Sequence, residues 1–105
     1  MTEPTNSDIY AALVATNLPC AYSHFKTKQT PPYIVYIGNG QDTFDADNTH
    51  YWKNNRYQIE YYFTTKNESN EASIESALLS AGYLYEKSED VYIEDQGVFV
   101  IYYTV

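Results

Sequence analysis

The side chains that could do chemistry are few, and their spacing commits them to no reaction. The two histidines, His24 and His50, fall in separate loop regions, and neither has a Cys, an Asp or a second His at ligand spacing within a predicted helix. His50 stands three residues from Asp47, which is too little for a metal site. The single cysteine, Cys20, excludes an internal disulfide and any multi-thiolate metal centre. It follows Pro19 and reads as a small core thiol rather than a nucleophile. Asp42, Asp45 and Asp47 invite a calcium-loop reading. The required alternation of acidic ligands, the glycine and the distant Glu are not matched, however, and Phe44 interrupts the cluster, so the expectation is a solvated acidic loop. Gly38-Asn39-Gly40 lacks the spacing of either glycine-rich nucleotide motif, and no Lys-Ser or Lys-Thr follows it. No serine sits in a G-x-S-x-G context. Asn67-Glu68-Ser69 is formally a glycosylation sequon, incidental without a secretory route. Glu60, Glu86 and Glu89 could be paired as acid and base, but carboxylates are too frequent here for that spacing to be specific. The expectation is a protein without catalysis, cofactor or metal.

The elements that would carry these residues can be read from periodicity. Residues 1–6 should be frayed. Ser7 is a candidate N-cap, with Asp8 in the first turn. Ile9, Ala12, Leu13 and Thr16 then fall on one face of a helix over about 8–17, stopped by Pro19. Residues 20–32, with Pro31-Pro32, read as a connector. The apolar run Tyr33 to Ile37 predicts a strand buried on both faces, ended by the Gly38-Asn39-Gly40 turn signal and followed by a long loop over 38–50. Tyr57, Ile59, Tyr61 and Phe63 alternate with Gln58, Glu60 and Tyr62, the clearest strand in the chain, and Asn54-Asn55 would close a hairpin between 48–53 and 57–63. Ile74, Ala77, Leu78 and Ala81 predict a second amphipathic helix over about 71–81, capped by Ser69 or Asn70 and ended by Gly82. Tyr83 to Tyr85 is a short strand candidate, and 90–94 with 98–104 predict a hairpin around Asp95-Gln96-Gly97. Strands interrupted by two isolated helices predict one α+β domain, its helices on one face of a mainly antiparallel sheet.

Bulk composition narrows the function classes. The chain has 105 residues, a length suited to one domain. Its formal charge of −8 and scattered basic residues oppose direct nucleic-acid binding, which draws on clustered Lys and Arg. No run approaches the roughly 20 apolar residues of a membrane span, and the polar start lacks the basic and apolar stretches of a signal peptide, so a cytoplasmic protein is expected. Thirteen tyrosines are more than a small domain can hide, and half-buried tyrosines suit both strands and protein contacts.

A set of residues also resembles a known family. Pro31-Pro32-Tyr33-Ile34-Val35-Tyr36, then Asp42, Phe44 and Ala46-Asp47-Asn48, then Tyr57 to Tyr62 and Lys66, is similar to small proteins from the head–tail gene region of long-tailed bacteriophages. The 71–81 helix, Tyr85-Glu86-Lys87 and the terminal Phe99 to Tyr103 strand also fit, so the likeness spans about 31–105. It implies a tail terminator, or tail completion protein: an α+β subunit of a hexameric ring that caps the tail tube and meets the head connector in the virion. The implied partners are further copies of itself, the tube protein and the connector proteins, with DNA passing through the ring. In that role Asp42, Phe44, Asp45 and Asp47 on the 38–50 loop, together with Tyr62, are the candidate interface residues, with Phe44 as an apolar plug and the aspartates facing the lumen or basic groups on the tube. An acidic passage repels DNA and lets it slide.

Two other classes compete. A small acidic protein could mimic DNA and occupy a host DNA-processing protein, but that needs carboxylates in regular rows, and the 57–63 strand offers only Glu60. A small hydrolase or ligand-binding module needs a pocket with convergent polar groups, for which no motif speaks.

Overall fold

The computed structural model describes the backbone of residues 6–46 and 50–105 and the side chains of residues 8–40 and 56–105. The expected fraying of the N-terminus lies outside the described residues up to position 5, whereas Asn6 opens a helix. The order is α1 (Asn6–Val14), β1 (Cys20–Tyr22), β2 (Tyr33–Ala46), β3 (His50–Phe63), α2 (Glu68–Ser80), β4 (Glu86–Lys87), β5 (Val91–Ile93) and β6 (Val98–Thr104). The strands form one sheet in the order β1-β2-β3-β6-β4, and β5 pairs with β6 on the same side as β4. All pairs are antiparallel except β1 with β2. The fold is α+β, with both helices on one face.

Period-two alternation decides what the central strand buries. Tyr57, Ile59, Tyr61 and Phe63 point at the helices and are buried, as the alternation predicts. Register sets Ile34 and Ile101 beside Tyr61, and Tyr36 and Tyr103 beside Ile59. Ile9 and Leu13 of α1 and Ile74 and Leu78 of α2 close the core from above. Each of these aliphatic side chains contributes about 1.5–3 kcal/mol by leaving water. The opposite face is covered too: Val35, Val98 and Val100 are buried there.

Capping chemistry fixes the ends of α2. Asn67, not Ser69 or Asn70, is the N-cap; its side chain accepts from the Asn70 N–H at 3.1 Å. The helix therefore starts three residues before the predicted Glu71. At the other end Gly82 has φ +91°, a left-handed conformation, and the Tyr83 N–H reaches back to Leu78 O at 2.9 Å. This is the reverse turn that a C′ glycine permits, as the sequence predicted.

Five expectations are corrected. The 38–50 segment is not a loop where it is described: β2 runs on to Ala46. Gly38-Asn39-Gly40 forms a bulge instead of a turn, since Gly38 to Gln41 on β2 opposes only Tyr57 to Asn55 on β3. Gly40, at φ +83°, absorbs the extra residue without a Cβ clash. Asn54-Asn55 likewise lies inside β3, paired with Asp42 and Gln41. The connector begins as a strand, because Cys20, Ala21 and Tyr22 pair in parallel with Ile34, Val35 and Tyr36. The short strand expected at Tyr83 to Tyr85 falls at Glu86–Lys87 instead, where it meets Thr104 and Tyr103.

Candidate functional site

The interface candidates fall on a two-stranded ribbon that continues β2 and β3 past the rest of the sheet. Within the body, β1 pairs only with Ile34 to Tyr36 of β2, and β6 only with Gln58 to Phe63 of β3. Beyond the bulge, Gln41 to Ala46 pairs with His50 to Asn55 and, among the described residues, with nothing else. Six residues per strand extend this ribbon by about 20 Å. The described chain is accordingly elongated, 50 × 27 × 25 Å.

Register and alternation place the candidates along it. Phe44 is opposite Trp52, Asp42 opposite Asn54, and Asp45 opposite Tyr51. Asp42 and Phe44 share one face of the ribbon and Asp45 takes the other. Asp47 lies outside the described residues. Tyr62 does not join the group. It pairs with Tyr33 and Val100 at the far end of β3, ten residues or about 33 Å along the strand from Trp52. One proposed surface therefore divides into two places.

Tyr62 belongs to a site on the sheet face away from the helices. Its hydroxyl donates to Glu60 Oε1 at 2.6 Å, and Gln58 Nε2 donates to Oε2 at 3.2 Å. Partial burial, and then the bond and charge of Glu60, push the Tyr62 phenol well above its ordinary pKa. The Tyr62 and Tyr33 rings stack with centroids 5.0 Å apart, and Phe25 meets Tyr33 edge-on at 5.4 Å. The segment between β1 and β2 and these rings together line a half-open cleft of about 570 Å³.

A second polar cluster, which the sequence reading missed, ties α2 to the sheet. Glu71 is only 4% exposed although it is charged. Lys87 Nζ lies 3.0 Å from Glu71 Oε1 and 2.8 Å from Glu75 Oε2. Lys66 Nζ is 2.8 Å from Glu71 Oε2, an ion pair off the angle of a directed hydrogen bond, and 3.1 Å from Asp90 Oδ2. The Tyr103 and Tyr85 hydroxyls donate to Glu75 at 2.8 and 3.3 Å. Burial by itself would raise the Glu75 carboxyl, but Lys87, Tyr103 and Tyr85 outweigh it and hold the pKa below the ordinary value. Lys87 is raised in turn, first by Glu75 and then by Glu71. Glu71, Ile74 and Leu78 are spaced i, i+3, i+7, so the helix period already put Glu71 on the buried stripe. The cluster has the geometry of a structural clamp, since each carboxylate is neutralised within the fold.

Other candidates are dispersed. The exposed His24 has Nδ1 3.2 Å from Ser23 Oγ, and no group of three metal-ligating side chains occurs among the described residues. The half-buried Cys20 has its thiol pushed up by burial, which disfavours the reactive thiolate. No helix among the described residues is long and apolar enough to cross a membrane. Compared with protein-family models and with curated proteins, the chain matches none.

Proposed function

We propose that this chain is a structural subunit that works by joining copies of itself, and that its assembly is the ring closing the head-proximal end of a phage tail. The observation that carries the reading is the ribbon beyond the bulge. A two-stranded hairpin standing in water is marginal on its own, and among the described residues neither of its outer edges pairs with a further strand. Such an element gains most when a neighbour supplies a third strand or a covering surface. The ribbon of one copy against the body of the next is a heterologous contact, the kind that closes a ring by rotation. The tail assignment rests on the sequence resemblance. The net charge of −8 suits a passage through which DNA must slide. Tube and connector proteins are the further partners in this reading, and no chemistry is required of any side chain.

The test is assembly. Light scattering and electron microscopy over a concentration series should show discrete rings, formed by the chain alone or on addition of tube protein. Phe44→Ala should weaken assembly at least about tenfold while leaving the unfolding midpoint of the body unchanged. A chain that stays monomeric at high concentration and ignores tube protein would refute the reading.

A further inference from the structure

The cleft lined by the β1–β2 connection has walls and a floor of a particular chemistry. Phe25 and Tyr33 meet at 82°, and Tyr62 stacks on Tyr33 at 23°, so three rings line one side. Glu60 lines the same space from the central strand. It is half-buried, and among the described residues no cation pairs with it; both of its partners, Gln58 and Tyr62, are neutral. Among the described residues each carboxylate oxygen accepts one bond where it has capacity for about two. Its charge reaches the aromatic wall as well: Tyr33 is raised first by burial and then by Glu60. Asp95 adds a second negative charge to the lining, while Lys28 lies on the loop side.

Aromatic faces attract cations through their quadrupole, and a partly desolvated carboxylate without a counter-charge does so more strongly. The geometry points to this pocket as a binding site for an organic cation, a guanidinium or alkylammonium group carried by a small molecule or by an Arg or Lys side chain of another protein. The cleft of about 570 Å³ lies in the size range of ligand sites. The site requires no ring, because every named residue belongs to the body of one subunit.

The purified full chain is titrated with tetramethylammonium, propylguanidinium and a blocked Arg tripeptide, following amide NMR shifts. Neopentyl alcohol, close in shape to tetramethylammonium but uncharged, is the control. The cations should give saturable shifts around Tyr33 and Tyr62, with neopentyl alcohol at least about tenfold weaker. Glu60→Gln should weaken the cations by about tenfold. Tyr33→Leu removes a wall and leaves the carboxylate, and should weaken them several-fold even if Glu60→Gln fails to fold. Tighter binding of the tripeptide than of the free cations would assign the site to a protein side chain, and the reverse order to a small molecule; either supports the proposal. Equal binding of neopentyl alcohol, undiminished binding by Glu60→Gln, or the absence of saturable shifts in the pocket would overturn it.

Discussion

Replacing Lys87 by Met tests how the second helix is held to the sheet. Lys87 is the only cation within 4 Å of Glu75 among the described residues and one of two beside Glu71. Methionine keeps most of the aliphatic stem and removes the charge. Glu71 then retains Lys66, while Glu75 retains only the Tyr103 and Tyr85 hydroxyls. A bond to a charged group contributes about 1.5–3 kcal/mol where it is buried. Lys87 makes two such contacts, but its side chain is 36% exposed, so solvent screening reduces each. The expected loss at pH 7 is about 2 kcal/mol, or about 10 °C in Tm for a domain of this size. The loss should depend on pH in a definite direction. In the parent chain Glu75 has a lowered pKa, so its contribution is present above the unfolded value near 4.3 and fades as pH falls through the lower folded value. In the variant the desolvation of Glu75 is opposed only by the two hydroxyls, and its folded pKa should rise. The penalty is then full at neutral pH and disappears as the carboxyl protonates. Both trends shrink the difference toward acid. Urea unfolding followed by circular dichroism at pH 7 and pH 4 measures it. An equal loss at both pH values, or none at pH 7, would refute the clamp.

The other expectations concern the core and a cap. Ile59→Asp places a charge at a fully buried position between Tyr36 and Tyr103, at a cost above about 4 kcal/mol; it should abolish the dispersed NMR spectrum of the folded chain, and a folded variant would contradict the register. Asn67→Ala removes the acceptor for the Asn70 N–H and should lower stability by about 1 kcal/mol, read as a shift in urea midpoint at constant slope.

Much of the body was legible in the sequence because its signals are local. The alternation from Tyr57 to Phe63 predicted which face of β3 is buried, and Ile74, Leu78 and Gly82 predicted the stripe and the end of α2. The α+β class followed from the order of these elements. The stretch that carries the candidate interface residues was given the wrong backbone, a loop where β2 runs on. Gly38-Asn39-Gly40 and Asn54-Asn55 carry turn propensity, and local propensity yields where two flanking segments can pair across them. Pairing of Gln41 to Ala46 with His50 to Asn55 turned a presumed loop and a presumed turn into one ribbon.

The sequence by itself determined the periodicities, the glycine stop of α2, the acidity and the scarcity of catalytic groups, since each is a property of neighbours along the chain. Only the tertiary structure decided that Tyr62 stands apart from Phe44, that Lys66 and Lys87 converge on Glu71, and that Phe25 and Tyr33 meet above Glu60. Those groupings join residues 5 to 35 positions apart. Register between strands and the path of one connection bring them together, and neither is written in the spacing of residue types.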